Sequence, residues 1–209
     1  MTTRTVPDDD AGRAEAIAVL EAGGLVALPT DTVYGIGVNL ATPGGLEKLF
    51  AAKGRPLERA VVLLLADTDQ ARRLAIWTPA AERLASAFWP GGLTLVVSQR
   101  PDATLPPELT GGRPTIGLRV PDHASPRALA MALGPLPVTS ANLSGQPEAS
   151  DAGEIRRQLG DAVDLILDGG PARGGTASTV VDCSGAELPI VRTGAVSSEE
   201  ITRVLGRSV

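Results

Sequence analysis

Residues 29–37 read PTDTVYGIG and directly follow a short apolar run that is typical of a buried strand. The segment is dense in hydroxyl groups and glycines, so Thr30, Thr32 and Tyr34 are able to surround a small polar ligand at the carboxyl end of that strand. A turn in which Asp31 and Thr32 bond their own backbone explains the same residues equally well. The local chemistry leaves both interpretations open.

Apolar periodicity on both sides of this segment predicts strands and helices that alternate along the chain. Strands are predicted at residues 25–28, 61–65, 93–97, 115–120, 137–139, 165–167, 179–181 and 190–192. Helices are predicted from an N-cap among Asp8, Asp9 and Asp10 to Leu20, at 46–53, 71–75, 79–88, 125–133 and 151–159, and after a cap at Ser197 or Ser198. The Pro- and Gly-rich residues 100–114 are predicted to form an exposed loop. We expect an α/β fold in one domain, residues 1–209, with helices on the faces of a layered sheet.

The bulk composition argues against several classes of function. The chain of 209 residues carries a formal charge of -5, and only 2% of its residues are aromatic. A protein of this charge repels polynucleotides and anionic membranes as a whole, so any contact with nucleic acid has to be local. The N-terminus is polar and acidic, without a signal peptide or a spanning helix, and we expect a soluble cytoplasmic protein.

Cysteine and histidine each occur once, as Cys183 and His123. An intrachain disulfide and a zinc site built from several Cys or His ligands are therefore excluded. A Ser-His-Asp hydrolase would depend on His123 alone, and we do not expect one.

Basic residues occur at the end of one predicted helix and within one predicted strand. Lys53, Arg55 and Arg59 lie at the end of a helix, where they either complement the helix dipole or clamp a polyphosphate. Alternation in the strand at 115–120 places Thr115 and Arg119 on one face together with a glycine that lets a ligand approach. Arg119 suits the carboxylate of an amino acid, although a buried structural ion pair explains it as well.

Hydroxyl and amide groups follow another short apolar strand. Residues 139–145 read TSANLSG, and their side chains and closely spaced backbone N–H groups suit a phosphate or a ribose. Ser178 and Arg192 add a hydroxyl and a guanidinium near further strand ends.

Seven sequence blocks resemble, in their order, the YrdC-type family of threonylcarbamoyl-AMP synthases over roughly residues 23–198. The blocks are PTDTVYGIG at 29–37, KGRP at 53–56, WPGGLT at 89–94, TIGLRVP at 115–121, VTSANLSG at 138–145, STVVD at 178–182 and VRTGAVS at 191–197. The resemblance implies a twisted mixed β-sheet, α/β or α+β by some schemes, flanked by helices around a large cleft. It also implies a reaction in which L-threonine, bicarbonate and ATP give threonylcarbamoyl-AMP and pyrophosphate. The product would pass to the machinery that transfers the threonylcarbamoyl group to tRNA.

The resemblance assigns roles to individual residues. Thr32, Arg119 and Ser178 correspond to threonine contacts, joined by the backbone of Val138, and Arg119 takes the carboxylate. The ATP contacts correspond to Lys53, Arg55, Arg59, Thr115, Ser140, Asn142 and Arg192. We assign no general base, because a carbamate oxygen is already a nucleophile and positioning and charge neutralisation by Lys53 and Arg55 can suffice. We expect Mg²⁺ to be carried by ATP rather than by protein ligands.

The chain departs from the family pattern at three positions. Gly92 and Ala60 stand where prolines are usual, and Leu64 stands where some members have a polar threonine contact. We also expect the extra C-terminal domain of longer members to be absent after Val209. Two alternative functions remain, a double-stranded RNA-binding module and the carbamoyl-adenylate step of hydrogenase maturation.

Overall fold

The computed structural model describes residues 2–54 and 60–206, and ten strands within these ranges join in one sheet. The sheet mixes parallel and antiparallel pairs, as the resemblance implied, and its strand order is β1-β8-β2-β3-β7-β4-β6-β5-β9-β10. The strands are β1 (Arg4–Pro7), β2 (Val26–Leu28), β3 (Gly35–Gly37), β4 (Val62–Leu64), β5 (Leu93–Ser98), β6 (Thr115–Arg119), β7 (Leu136–Ser140), β8 (Leu165–Asp168), β9 (Thr179–Asp182) and β10 (Ile190–Arg192).

Helices cover the sheet unequally on its two faces. The helices are α1 (Asp10–Glu21), α2 (Gly45–Lys53), α3 (Thr68–Leu74), α4 (Pro79–Phe88), α5 (Pro107–Thr110), α6 (Ala124–Leu133), α7 (Ala152–Leu159) and α8 (Ser198–Leu205). A large apolar cluster joins one face to α2, α3, α4, α7 and α8, and a smaller cluster joins the other face to α1 and α6. None of the helices in the described ranges combines the length and the apolar character that a membrane crossing requires.

Strand alternation decides which residues reach each face. In β4, Leu63 belongs to the large cluster and Leu64 to the small one, and in β2 the side chain of Ala27 points opposite to those of Val26 and Leu28. Because α1 and α6 cover only part of the second face, the remainder of that face is open. This open area, which β4, β5, β6 and β9 form, positions the site described below.

Most of the long helices begin at a residue whose side chain caps the helix. Asp9 accepts a hydrogen bond from the backbone N–H of Gly12 at the start of α1, which confirms a cap among the three aspartates. Ser197 and Glu200 form a capping box at α8, so Ser197 rather than Ser198 is the cap.

Three elements were missed or wrongly predicted. Strand β1 is an edge strand with mostly exposed residues, so it lacks an apolar pattern. Strand β3 lies inside residues 29–37, and its Gly-Ile-Gly sequence has a low intrinsic β propensity. Residues 100–114 are not simply an exposed loop, because they contain α5, whose Leu109 is fully buried and accepts a hydrogen bond from the backbone N–H of Val61.

Cys183 follows β9 and is fully buried, and burial raises the pKa of its thiol to about 12. The thiolate is the reactive form, so we predict that iodoacetamide does not alkylate Cys183 in the folded protein in mildly alkaline buffer. Concentrated guanidinium should expose the thiol and permit one adduct, which mass spectrometry would count. Rapid alkylation of the folded protein, at the rate found in denaturant, would contradict the burial of this side chain.

Candidate functional site

A cleft of about 540 Å³ lies on the open part of the second sheet face. This volume is in the range of sites for small molecules. Its floor is apolar, and hydroxyl and guanidinium groups surround that floor. The floor residues include Val62, Leu64, Val96, Val138 and Val180, and the polar residues include Thr30, Thr32, Thr94, Arg113, Arg119, Ser140, Ser178 and Arg192.

The segment 29–37 forms a turn and also borders the cleft. Thr30 donates through Oγ1 to the carbonyl of Val33 over 2.7 Å and accepts from the N–H of Thr32 over 3.1 Å. The segment is therefore a turn, but the side chain of Thr30 holds it rather than those of Asp31 and Thr32, and Oγ1 of Thr32 contacts Oγ1 of Thr30 and accepts from Arg119. Asp31 behaves differently, because its carboxylate bonds Arg119 across the sheet face. Thr32 is only 2% exposed, and it still lines the cleft.

Two glycines of the same segment make room for Val138. A Cβ on Gly35 would approach Cγ1 of Val138 to 2.4 Å, and one on Gly37 would approach Cγ2 to 3.0 Å. Val138 is the middle residue of β7 and is paired with Gly37 on one side and Val62 on the other. Its side chain consequently forms part of the cleft floor.

The side chain of Arg119 bonds three different residues. Its Nε donates to the carbonyl of Gly91 over 2.9 Å, Nη1 to Oγ1 of Thr32 over 2.8 Å, and Nη2 to Oδ1 of Asp31 over 2.6 Å. Burial lowers the pKa of Arg119, and the Asp31 carboxylate opposes that shift. A guanidinium carries five N–H groups, so these three bonds leave one N–H on each Nη for a ligand. The two interpretations of Arg119, ion pair and carboxylate site, are compatible.

A second polar network joins Thr94 of β5, Ser178 directly before β9 and Arg192 of β10, and Thr94 lies beside Arg119 because Leu95 pairs with Leu118. Oγ of Ser178 is 2.8 Å from Oγ1 of Thr94 and accepts from Nη2 of Arg192 over 3.0 Å. Arg192 also donates to the carbonyl of Ser178, through Nη2 over 2.8 Å and through Nε over 3.1 Å. Thr94 was missed as a site residue, although alternation in the strand at 93–97 gives it the same face as Val96, which also lines the cleft.

Lys53, Ser140 and Asn142 form a third network between the end of α2 and the loop after β7. Nζ of Lys53 donates to the carbonyl of Ser140, and it lies 3.3 Å from Oγ of Ser140 and 3.1 Å from Oδ1 of Asn142. Lys53 is only 3% exposed, and Ser140 is the member of this network that lines the cleft.

Three predicted residues remain, Thr115, Arg55 and Arg59. Thr115 begins β6 at the position paired with Ser98 of β5, and the described cleft lining does not include it. Arg55 and Arg59 lie outside the described residues.

The charge of the cleft is opposite to that of the whole chain. Among the described residues of its lining, Arg113, Arg119 and Arg192 are cationic and Glu148 is the one carboxylate. This arrangement favours an anionic ligand in a protein whose formal charge is -5. In the described ranges, no group of three or more His, Cys, Asp or Glu side chains is placed to hold a metal ion.

Comparisons with known proteins point to one family. The model of the Sua5/YciO/YrdC family, whose description is "Telomere recombination", matches residues 18–194. A putative threonylcarbamoyl-AMP synthase of Mycobacterium tuberculosis is 41% identical over 93% of this chain and 89% of its own length. The threonylcarbamoyl-AMP synthase of Bacillus subtilis is 37% identical over 98% of this chain, which spans 59% of that protein. The crystal structure of Pyrococcus abyssi Sua5 complexed with L-threonine matches 99% of this chain and 61% of its own, with 33% identity and a TM-score of 0.90.

The Asp31–Arg119 pair is nearly buried, with exposed side-chain fractions of 14% and 6%. Removal of one partner leaves an uncompensated buried charge, so we predict that Asp31→Asn lowers the free energy of unfolding by about 3 kcal/mol. Urea denaturation followed by circular dichroism would measure the change. The matched control is Asp69→Asn, because Asp69 is 76% exposed beside Arg72 and its loss should leave stability unchanged. Equal midpoints for the two variants would contradict the prediction.

Proposed function

The chain belongs to the Sua5/YciO/YrdC family, and on this premise we propose that it is a threonylcarbamoyl-AMP synthase. The proposed reaction joins L-threonine, bicarbonate and ATP and releases pyrophosphate. The single observation that carries the proposal is the cleft itself, where arginines and hydroxyls surround an apolar floor. The threonine complex of the related Pyrococcus abyssi Sua5 supports the choice of amino acid.

The proposed threonine site lies around Arg119. Its two remaining Nη hydrogens would bind the substrate carboxylate, while Asp31 and Thr32 hold the guanidinium in place. Ser178, held by Thr94 and Arg192, supplies a hydroxyl close to Arg119, since Thr94 lies beside Arg119 on the neighbouring strand. Leu64 and Val138 give an apolar surface that suits the methyl group of threonine.

The proposed ATP site uses the cations of the cleft and of its border. Arg192 and the network of Lys53, Ser140 and Asn142 would contact the nucleotide, together with Thr115 and with Arg55 and Arg59 of the undescribed segment. Arg113 was not expected from the sequence, and its position in the lining adds a guanidinium for the phosphates. Mg²⁺ would enter as part of the ATP substrate, bound to phosphate oxygens.

The proposed chemistry needs positioning more than proton transfer. The threonine amine and bicarbonate give a carbamate and water, and a carbamate oxygen then attacks the α-phosphorus of ATP. A new P–O bond forms while the bond to the β-phosphate breaks, and pyrophosphate leaves with the electron pair. Fixed cations oppose the charge on the leaving group, and orientation of the two substrates supplies on the order of 7 kcal/mol or more. We place the reaction in the cytoplasm, where a separate system would transfer the product to tRNA.

We predict that the purified protein releases pyrophosphate from ATP only when L-threonine and bicarbonate are both present. A coupled pyrophosphate assay with each substrate omitted in turn measures this dependence. Mass spectrometry of the product would identify threonylcarbamoyl-AMP directly. Equal turnover without bicarbonate, or with L-serine in place of L-threonine, would exclude the proposed substrates.

Arg119→Lys keeps the positive charge and removes the planar fork that a carboxylate requires. We expect the KM for L-threonine to rise by about tenfold or more, since tenfold corresponds to the loss of one charge-assisted hydrogen bond. The KM for ATP should change much less, and steady-state kinetics with each substrate varied separately would show the difference. A parallel rise in both constants would instead indicate a general disturbance of the cleft.

Thr94→Val removes the hydroxyl that bonds Ser178 and preserves the shape of the side chain. We predict a KM for L-threonine raised by about threefold to tenfold, because Ser178 loses one of the partners that orient it. Thr110→Val is the matched control, since Thr110 is also buried but bonds the carbonyl of Pro107 and is not part of the cleft lining. Unchanged kinetics in the Thr94→Val protein would contradict a role of Thr94 in orienting the hydroxyl of Ser178 for threonine binding.

A further inference from the structure

A second cavity, of about 460 Å³, has no described lining residue in common with the cleft. It lies where the parallel strands β1 and β8 end and where α6 begins, and three arginines, Arg13, Arg127 and Arg173, contribute to its wall. The carboxyl ends of parallel strands are a frequent place for ligands in folds of this kind. None of the roles proposed above uses this cavity.

The inner part of the second cavity is a closed network of hydrogen bonds. The Asp8 carboxylate accepts from Nε of Arg13 over 2.9 Å and from the hydroxyl of Ser125. Ser125 is fully buried, and the side chain of Asp8 is only 7% exposed. The charges of Asp8 and Arg13 therefore compensate each other, and neither controls the net charge of the cavity.

The outer part of the cavity has an excess of positive charge. Within the described part of the chain Arg127 donates only its Nε, to the carbonyl of Ala66 over 2.9 Å, which leaves both of its Nη groups available. Arg173 is exposed and has neither a hydrogen bond nor an ion pair to any residue of the described ranges. Among the residues that the structure describes, Asp122 is the one opposing carboxylate of this outer part, so two guanidiniums face one acid.

His123 adds a neutral donor between the two parts. Its Nδ1 accepts from the N–H of Ser125 over 3.3 Å, so the proton of the neutral ring resides on Nε2, which lies 3.9 Å from Oδ2 of Asp8. Burial lowers the pKa of His123, and the guanidinium of Arg173 lowers it further against the effect of Asp8. The ring is neutral at pH 7 and presents an N–H group at the cavity wall.

We propose that this second cavity binds a phosphate group through Arg173 and Arg127. One guanidinium comes from helix α6 and the other from the segment between β8 and β9, and two such groups suit a tetrahedral oxyanion, whose acceptor oxygens point in several directions. The excess of one positive charge matches a phosphate ester that carries one negative charge. The phosphate belongs either to a small molecule or to the backbone of an RNA.

Arg173 also connects the second cavity to the cleft. The turn at Gly169 and Gly170 bonds the hydroxyl of Tyr34, and the N–H of Gly175 donates to the carbonyl of Thr32 over 3.1 Å. The segment that carries Arg173 therefore packs against the turn that holds Thr32. A phosphate bound at Arg173 would hold this segment on the side that faces the second cavity.

The single histidine of the chain is a reporter located inside the second cavity. Inorganic phosphate is titrated into the whole protein, and the imidazole signals of His123 are followed by NMR at constant pH and ionic strength. We expect a saturable shift that sodium chloride does not produce. Arg173→Gln should weaken the apparent affinity by about tenfold, the loss of one charge-assisted hydrogen bond, and Arg173→Lys should weaken it less.

The matched control is Arg73→Gln, which removes an exposed arginine outside both cavities and should leave the titration unchanged. A second titration uses an RNA oligonucleotide without terminal phosphates. A response to inorganic phosphate alone identifies a small ligand, and a response to RNA alone identifies a phosphodiester. Absence of a saturable shift with both probes, or equal shifts in the Arg173→Gln protein, would overturn the proposal. The NMR titration does not depend on catalysis. The test of phosphate binding therefore remains valid even when the protein does not catalyse the proposed reaction.

Discussion

The ion pair of Arg119 and Asp31 is the constraint on which the geometry of the cleft depends. Arg119 belongs to β6 and Asp31 to the turn after β2, and β3, β7 and β4 lie between these strands in the sheet. A charge this deeply buried is tolerated only when it is paired and hydrogen-bonded. The turn therefore has to extend across the sheet face to reach the guanidinium. The same contact places Thr32 beside Arg119 and closes one end of the cleft.

The position of the cleft follows from incomplete coverage of the sheet. Helices α1 and α6 pack on the part of the second face that belongs to β1, β8, β2, β7 and β4, while in the described ranges no residue of β5, β6 or β9 joins the apolar cluster that these helices form. Val96 and Val180 are partly exposed in the cleft, and apolar surface of this kind is typical of binding sites. Leu64, which stands where some relatives have a polar contact, continues this apolar floor. A ligand with a small aliphatic group is therefore compatible with the departure from the family pattern.

The sequence predicted the central strands and the long helices, because an apolar run or a helical period reports burial directly. It failed at β3, where glycines are required by the side chain of Val138 rather than by a local preference. In the site, the sequence identified Thr32, Arg119, Ser178, Ser140 and Arg192, all of which line the cleft. The partner of Arg119 could not be predicted, since Asp31 is 88 residues away and only the tertiary fold brings the two together. A single sequence carries no periodic signal for such a contact.

Tyr34 shows how one side chain links two sites with different chemistry. Its ring is fully buried, and its hydroxyl both donates to the carbonyl of Gly170 and accepts from the N–H of Gly169. Burial raises the pKa of this hydroxyl, so it stays protonated and keeps both roles at neutral pH. A buried hydrogen bond of this kind couples the positions of two segments more firmly than a salt bridge at the surface does, because water does not compete for either group. The turn that holds Thr32 and the segment that holds Arg173 are thus parts of one hydrogen-bonded unit, and a ligand bound on either side acts on the same backbone.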